Sequence, residues 1–115
     1  MTYNGFDHDQ RMAVVPIQQR AIRDGTLTAP PQCEGCGAHA ALVPHLEDYT
    51  RPIDGAIWVC RECHTAIHTR HRSTLQWEDY VARCLTRHAR SILPAISAGT
   101  TFAPDREVRR PLRLF

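Results

Sequence analysis

Lysine is absent from these 115 residues; all 14 basic side chains are arginine. No stretch approaches the roughly 20 consecutive apolar residues of a membrane-spanning helix, which excludes a helical membrane protein and any membrane partnership of that kind. The opening, Met1 to Asp7, has neither a basic start nor an apolar run, so it does not read as a secretory leader, and a cytoplasmic setting is expected. There is no internal repeat. The last twenty residues have no clear apolar periodicity. At this length the chain is one small domain, and a small core often needs a staple, either disulfides or a metal.

What is present is unevenly distributed. Residues 1–60 carry four Arg against seven acids, and residues 61–115 carry ten Arg against five. The second half is therefore the basic half, as expected of a surface that meets phosphate. Arginine suits bidentate phosphate contacts, although a GC-rich genome alone produces a lysine-free composition.

Along the chain, residues 1–10 are polar and expected to fray. Residues 11–94 read as the folded domain. A helical pattern runs from Arg11 to Asp24, more safely from Pro16 as its first position, with Gly25 as a left-handed stop. Ala41-Leu42-Val43, ending at Pro44, and Ala56-Ile57-Trp58-Val59 read as two strands of a hairpin. A helix opens around Cys63. Ser73 and Gln76 resemble a capping box at the head of a last helix that runs to Pro94, with Cys84 on its apolar side. Residues 95–115 read as a mobile basic tail whose apolar end, Leu112, Leu114 and Phe115, suits a protein partner.

Cys33-Glu34-Gly35-Cys36 and Cys60-Arg61-Glu62-Cys63 are two Cys-x-x-Cys pairs separated by a hairpin-length segment. Two cysteines with two residues between them can face one tetrahedral site when the chain turns sharply, and Gly35 and Gly37 permit that turn. Without export, the four cysteines read as zinc ligands rather than disulfides. Four thiolates leave no open position, so this Zn²⁺ is structural and contributes folding energy. Such a clamp pins the start of the hairpin to the start of the following helix. It also brings His45 toward His64 and His68, which lie four apart on one helical face. Three converging imidazoles suit a divalent ion that grips a phosphate; the other reading is three surface histidines.

The combination of Cys33-Glu34-Gly35-Cys36-Gly37, His45-Leu46-Glu47-Asp48-Tyr49-Thr50-Arg51-Pro52 and Trp58-Val59-Cys60-Arg61-Glu62-Cys63-His64, closed by His68, resembles the small phage-type HNH endonucleases. Arg20 to Leu27 resembles the helix before their cysteines, and the likeness covers about residues 18–72. It implies an α+β fold: a zinc-stabilised ββα-metal, treble-clef-like core with N- and C-terminal helices beside it. It also implies a second ion (Mg²⁺, Mn²⁺, Ni²⁺ or Zn²⁺), a general base and a DNA phosphodiester as substrate, in a prokaryotic or phage-infected cell. By position, His45 would touch that ion, His64 stands at the Asn-or-His position, and His68 is the closing histidine.

One departure matters for chemistry. The usual general-base histidine is Leu46 here, and leucine accepts no proton. Loss of a general base typically costs about 10²- to 10⁴-fold in rate. Asp48 or Glu47 is then the remaining candidate base, Asp48 in a register where Glu47 is a metal carboxylate. Candidate phosphate contacts are Arg61, Arg70, Arg72, Arg83, Arg87 and Arg90, the last three expected on one stripe of the last helix. Three functions compete: a metal-dependent HNH nuclease, a non-cutting HNH domain that binds nucleic acid, and a zinc-stapled module that binds a protein, such as a phage regulator or assembly factor.

Overall fold

A computed structural model describes residues 2–97 as five helices and one two-stranded antiparallel sheet, an α+β arrangement. The order is α1 (His8–Ala13), α2 (Val15–Asp24), β1 (Val43–His45), β2 (Ile57–Val59), α3 (Arg61–Thr69), α4 (Thr74–Arg87) and α5 (Leu93–Ser97). None of these helices is long and apolar enough to cross a membrane.

The single helical pattern from Arg11 becomes two helices that meet at Val14. Pro16 explains the break: it has no N–H to donate, and its ring would crowd the carbonyl four residues earlier. It sits instead in the first turn of α2, where no donor is needed. Gly25 ends α2 in the left-handed region, at φ 84°. Upstream, α1 starts with a complete capping box. The Gln10 N–H donates to Asp7 Oδ1 and the Asp7 N–H to Gln10 Oε1, each at 2.8 Å.

Residues expected to fray are tied down. Tyr3 and Phe6 exchange two backbone hydrogen bonds of 2.9 Å around Asn4 and Gly5, both at positive φ. Asn-Gly is the dipeptide that tolerates this mirror-image turn best. The turn is held because Tyr3 and Asn4 reach a buried carboxylate described below.

The hairpin pairs Val43 with Val59, Pro44 with Trp58 and His45 with Ile57. β1 therefore runs through Pro44 rather than ending at it. In a two-stranded sheet both strands are edges, so the missing proline donor can face away from the ladder. β2 is buried throughout because it separates two cores. Ile57 and Val59 enter the larger one, with Ile67, Trp77, Val81, Cys84, Leu93 and Ile96. Trp58 points the opposite way, into a smaller cluster with Val14, Ala21, Leu27, Leu46 and Ala56.

α4 begins as its capping residue suggests, with Ser73 Oγ accepting from the Gln76 N–H at 3.2 Å. It ends at Arg87, not at Pro94. The chain then turns back, and the Ile92 N–H donates to the Glu34 carbonyl at 2.9 Å. Pro94 lies in the first turn of α5, so it opens a helix rather than closing one. Residues 95–97 belong to α5, and the rest of the expected basic tail, 98–115, lies outside the described residues.

Candidate metal centre and histidine cluster

The first cysteine pair lies on a tight loop. Its closing bonds run from the Gly37 N–H to the Cys33 carbonyl and from the Cys33 N–H to the Ala38 carbonyl, each 2.9 Å. Gly37 adopts φ 79°. Gly35 is needed for space: a β-carbon there would come within 2.7 Å of Cys63 Sγ. Cys60 caps α3 and Cys63 lies in its first turn, so one helix start fixes the second pair.

The four sulfurs lie within 4.8 Å of one another. Cys36 and Cys60 Sγ are 3.8 Å apart. Zn–S bonds of about 2.3 Å in a tetrahedron place sulfurs about 3.8 Å apart, so the donor set fits zinc in type, number and spacing. None of the five cysteines is in a disulfide. Backbone N–H groups of Gly35, Cys36 and Cys60 point at Cys33 Sγ at 3.3 to 3.5 Å. The Cys63 side chain and these donors pull the Cys33 thiol down to about 4, while the same contact pushes Cys63 up. Burial raises Cys36 to about 11. Tyr80, from α4, places its hydroxyl 3.1 Å from Cys63 Sγ. Cys84 is buried in the larger core, apart from the four.

His45 ends β1, while His64 and His68 sit one turn apart on α3. Their ring centroids are 4.6 to 5.2 Å apart, and one ring nitrogen from each lies within 4.8 Å of the others. His64 and His68 approach through their Nε2 atoms at 3.1 Å. Burial lowers both pKa values, His68 to about 4, with the neighbouring histidines adding to the effect. Burial therefore favours the neutral form of both rings.

Glu47 stands behind this cluster. Its carboxylate takes His45 Nε2 at 2.5 Å, Asn4 Nδ2 at 2.9 Å, Arg70 at 2.7 Å, and the Tyr3 hydroxyl. Burial alone would raise the Glu47 pKa, but the hydrogen bonds from His45, Tyr3 and Asn4 outweigh it and hold the group near 2. Arg70 also donates to the Tyr3 hydroxyl at 2.8 Å, and burial drives the Tyr3 pKa up. The Tyr3 ring packs 4.5 Å from His68.

Several expected roles are redistributed. Asp48 turns away, its Oδ1 accepting from Thr50 N–H and Oγ at 2.9 and 2.6 Å, so it does not join the histidines as a base. Leu46 is buried in the smaller core but lines the same cleft as the histidines. Arg70 is folded inward onto Glu47, its side chain 10% exposed. Arg90 lies beyond α4, so the expected stripe of three reduces to Arg83 and Arg87. Arg83 pairs with Asp79 at 3.0 Å. Arg61, Arg72, Arg87 and Arg90 are exposed. Tyr3, Asn4 and Arg11 complete the surroundings of the cluster and were not singled out from sequence; the Asn4-Gly5 dipeptide was the available signal for the first two. Comparisons with family models, curated proteins and solved structures found no match to this chain.

Proposed function

We propose that this chain is an HNH-like, nucleic-acid-directed metalloprotein that hydrolyses DNA phosphodiesters with a divalent ion held by His45, His64 and His68. The observation that carries this reading is the convergence of three imidazoles from two elements, His45 from the hairpin and His64 and His68 from α3, beside a four-cysteine cluster. The 3.1 Å between two ring nitrogens suits neighbouring ligands on one ion with bonds of about 2.1 Å. An ion bound there supplies charge stabilisation to a phosphate and its leaving oxygen. The protein's own contribution is orientation. Glu47 fixes the plane of His45, as a carboxylate commonly does behind a ligating histidine. Tyr3, Asn4 and Arg70 in turn hold Glu47.

The second reading, binding without cutting, is favoured by Leu46. With Leu46 apolar, Asp48 turned to Thr50 and Glu47 held ionised near pKa 2, the carboxylates make poor bases, and a neutral histidine ring is the remaining acceptor. The test is plasmid incubated with zinc-loaded protein and Mg²⁺, Mn²⁺ or Ni²⁺, beside His68→Ala. Cutting by the wild type and not by the variant supports the nuclease. Duplex binding without cutting moves the assignment to the binding module. Equal cutting by both indicates a contaminant.

A further inference from the structure

The cleft at the histidines is also lined by residues of α1 and α2. It has a volume of about 270 Å³, and His45, His64, His68 and Arg11 of α1 all line it. Val14 and Val15 are among its apolar lining residues. No carboxylate lines it. Among the described residues, Arg11 Nε is the one buried side-chain nitrogen or oxygen without a hydrogen-bond partner. The guanidinium also lies beside the Tyr49 hydroxyl, where it opposes the upward push of burial on that phenol. Arg11 thus lines a cleft that holds no carboxylate, and its Nε finds no acceptor inside the protein, so an anion entering the cleft is the missing partner for the guanidinium as a whole.

We propose that Arg11 anchors an anion subsite in this cleft, and that its ligand is a phosphodiester group held between the guanidinium and the histidines. This rests on reading the histidine cluster as a site that acts on nucleic acid. Arg11 is the cleft's one permanently charged lining residue. Arginine's planar donor set matches two phosphate oxygens, and the imidazoles line the same cleft. Arg11 is thereby a positioning residue: it holds the phosphate without exchanging a proton.

The test uses the full-length zinc-loaded protein without a second metal, and dimethyl phosphate as probe. Nitrogen-15 NMR follows the Arg11 Nε–H and the ring protons of His64 and His68. Saturable, concerted shifts are expected. Arg11→Gln should weaken the apparent affinity at least about tenfold, the scale of one lost charge-assisted hydrogen bond. Arg11→Lys, which keeps the charge and guards against a folding defect, should retain an intermediate response. A probe response that is the same in Arg11→Gln, or no movement of the Nε–H in the wild type, overturns the subsite. Plasmid cleavage separates the two claims. Probe binding without cleavage under any divalent ion leaves the subsite standing and removes the nuclease reading. Cleavage with unchanged KM in Arg11→Gln removes the subsite and leaves the nuclease.

Discussion

The Glu47 carboxylate meets the His45 imidazole at 2.5 Å, with each residue only 2% exposed. Two residues apart on one strand end, they share a face, while Leu46 between them takes the opposite one. The pair links the N-terminal turn, the hairpin and α3, because Glu47 also holds Asn4, Tyr3 and Arg70.

Glu47→Gln should therefore act as a stability variant as well as a site variant. It removes the negative charge opposite Arg70, whose guanidinium stays largely buried. Breaking a buried pair by removing one partner costs about 3–5 kcal/mol. The denaturant midpoint of the zinc-loaded protein is expected to fall accordingly. Combining it with Arg70→Met should recover part of that loss. A midpoint unchanged by Glu47→Gln would show that the pair contributes nothing net.

Metal removal should unfold the larger core. Cys33, Cys60 and Cys63 are themselves members of it, packed with Ile57, Val59 and Ile67. We expect one zinc per chain by metal analysis, and loss of near-ultraviolet dichroism on chelation that returns with added zinc. Zinc-free protein with an intact signal would refute the clamp. Gly35→Ala offers a finer probe, since its new methyl meets Cys63 Sγ at 2.7 Å. Zinc affinity should drop on the order of tenfold or more, the scale on which supporting contacts act at metal sites.

The cysteine clamp and the histidine face were legible in the sequence because both rest on local spacing. A pair with two residues between its cysteines, and two histidines one helical turn apart, need little tertiary context to be placed. The N-terminal cover was less legible. Tyr3 reaches Glu47 across 44 positions, and no periodicity in either segment announces that contact. The end of α4 is hidden in the sequence for a related reason. Ile92 continues the apolar pattern, but its N–H is claimed by Glu34 on the first cysteine loop. Arg70 shows the same limit: in sequence it is one more basic residue, and only the fold turns it onto a buried carboxylate.

Acid should weaken the fold through His68. Burial lowers its folded pKa from 6.5 to about 4, so between those values the unfolded chain binds more protons than the folded one. Its contribution is fully present above pH about 6.5 and is lost as pH falls toward 4. Denaturant midpoints of zinc-saturated wild type and His68→Gln, compared from pH 7 to pH 5, isolate this group from the thiolates common to both. The wild type should lose more stability on acidification than the variant. Parallel curves would mean that His68 titrates alike in both states.

On the proposed nucleic-acid reading, Leu46→His tests whether one side chain separates binding from efficient cutting. Leu46 packs with Val14, Ala21, Leu27, Ala56 and Trp58, and it also borders the cleft lined by His64 and His68. An imidazole there loses apolar contacts and buries polar atoms, so stability should fall by roughly 1–3 kcal/mol. The same ring would stand beside the cleft, where, on that reading, a water near a bound phosphate would give up its proton. If the histidine cluster is otherwise assembled, plasmid cleavage should rise by about 10²- to 10⁴-fold, the usual worth of a positioned general base. The comparison is meaningful only at a temperature where the variant remains folded, which the zinc content and dichroism report. A folded, zinc-loaded Leu46→His protein that binds duplex DNA and gains no cleavage would place the missing function elsewhere in the cluster and favour the binding module.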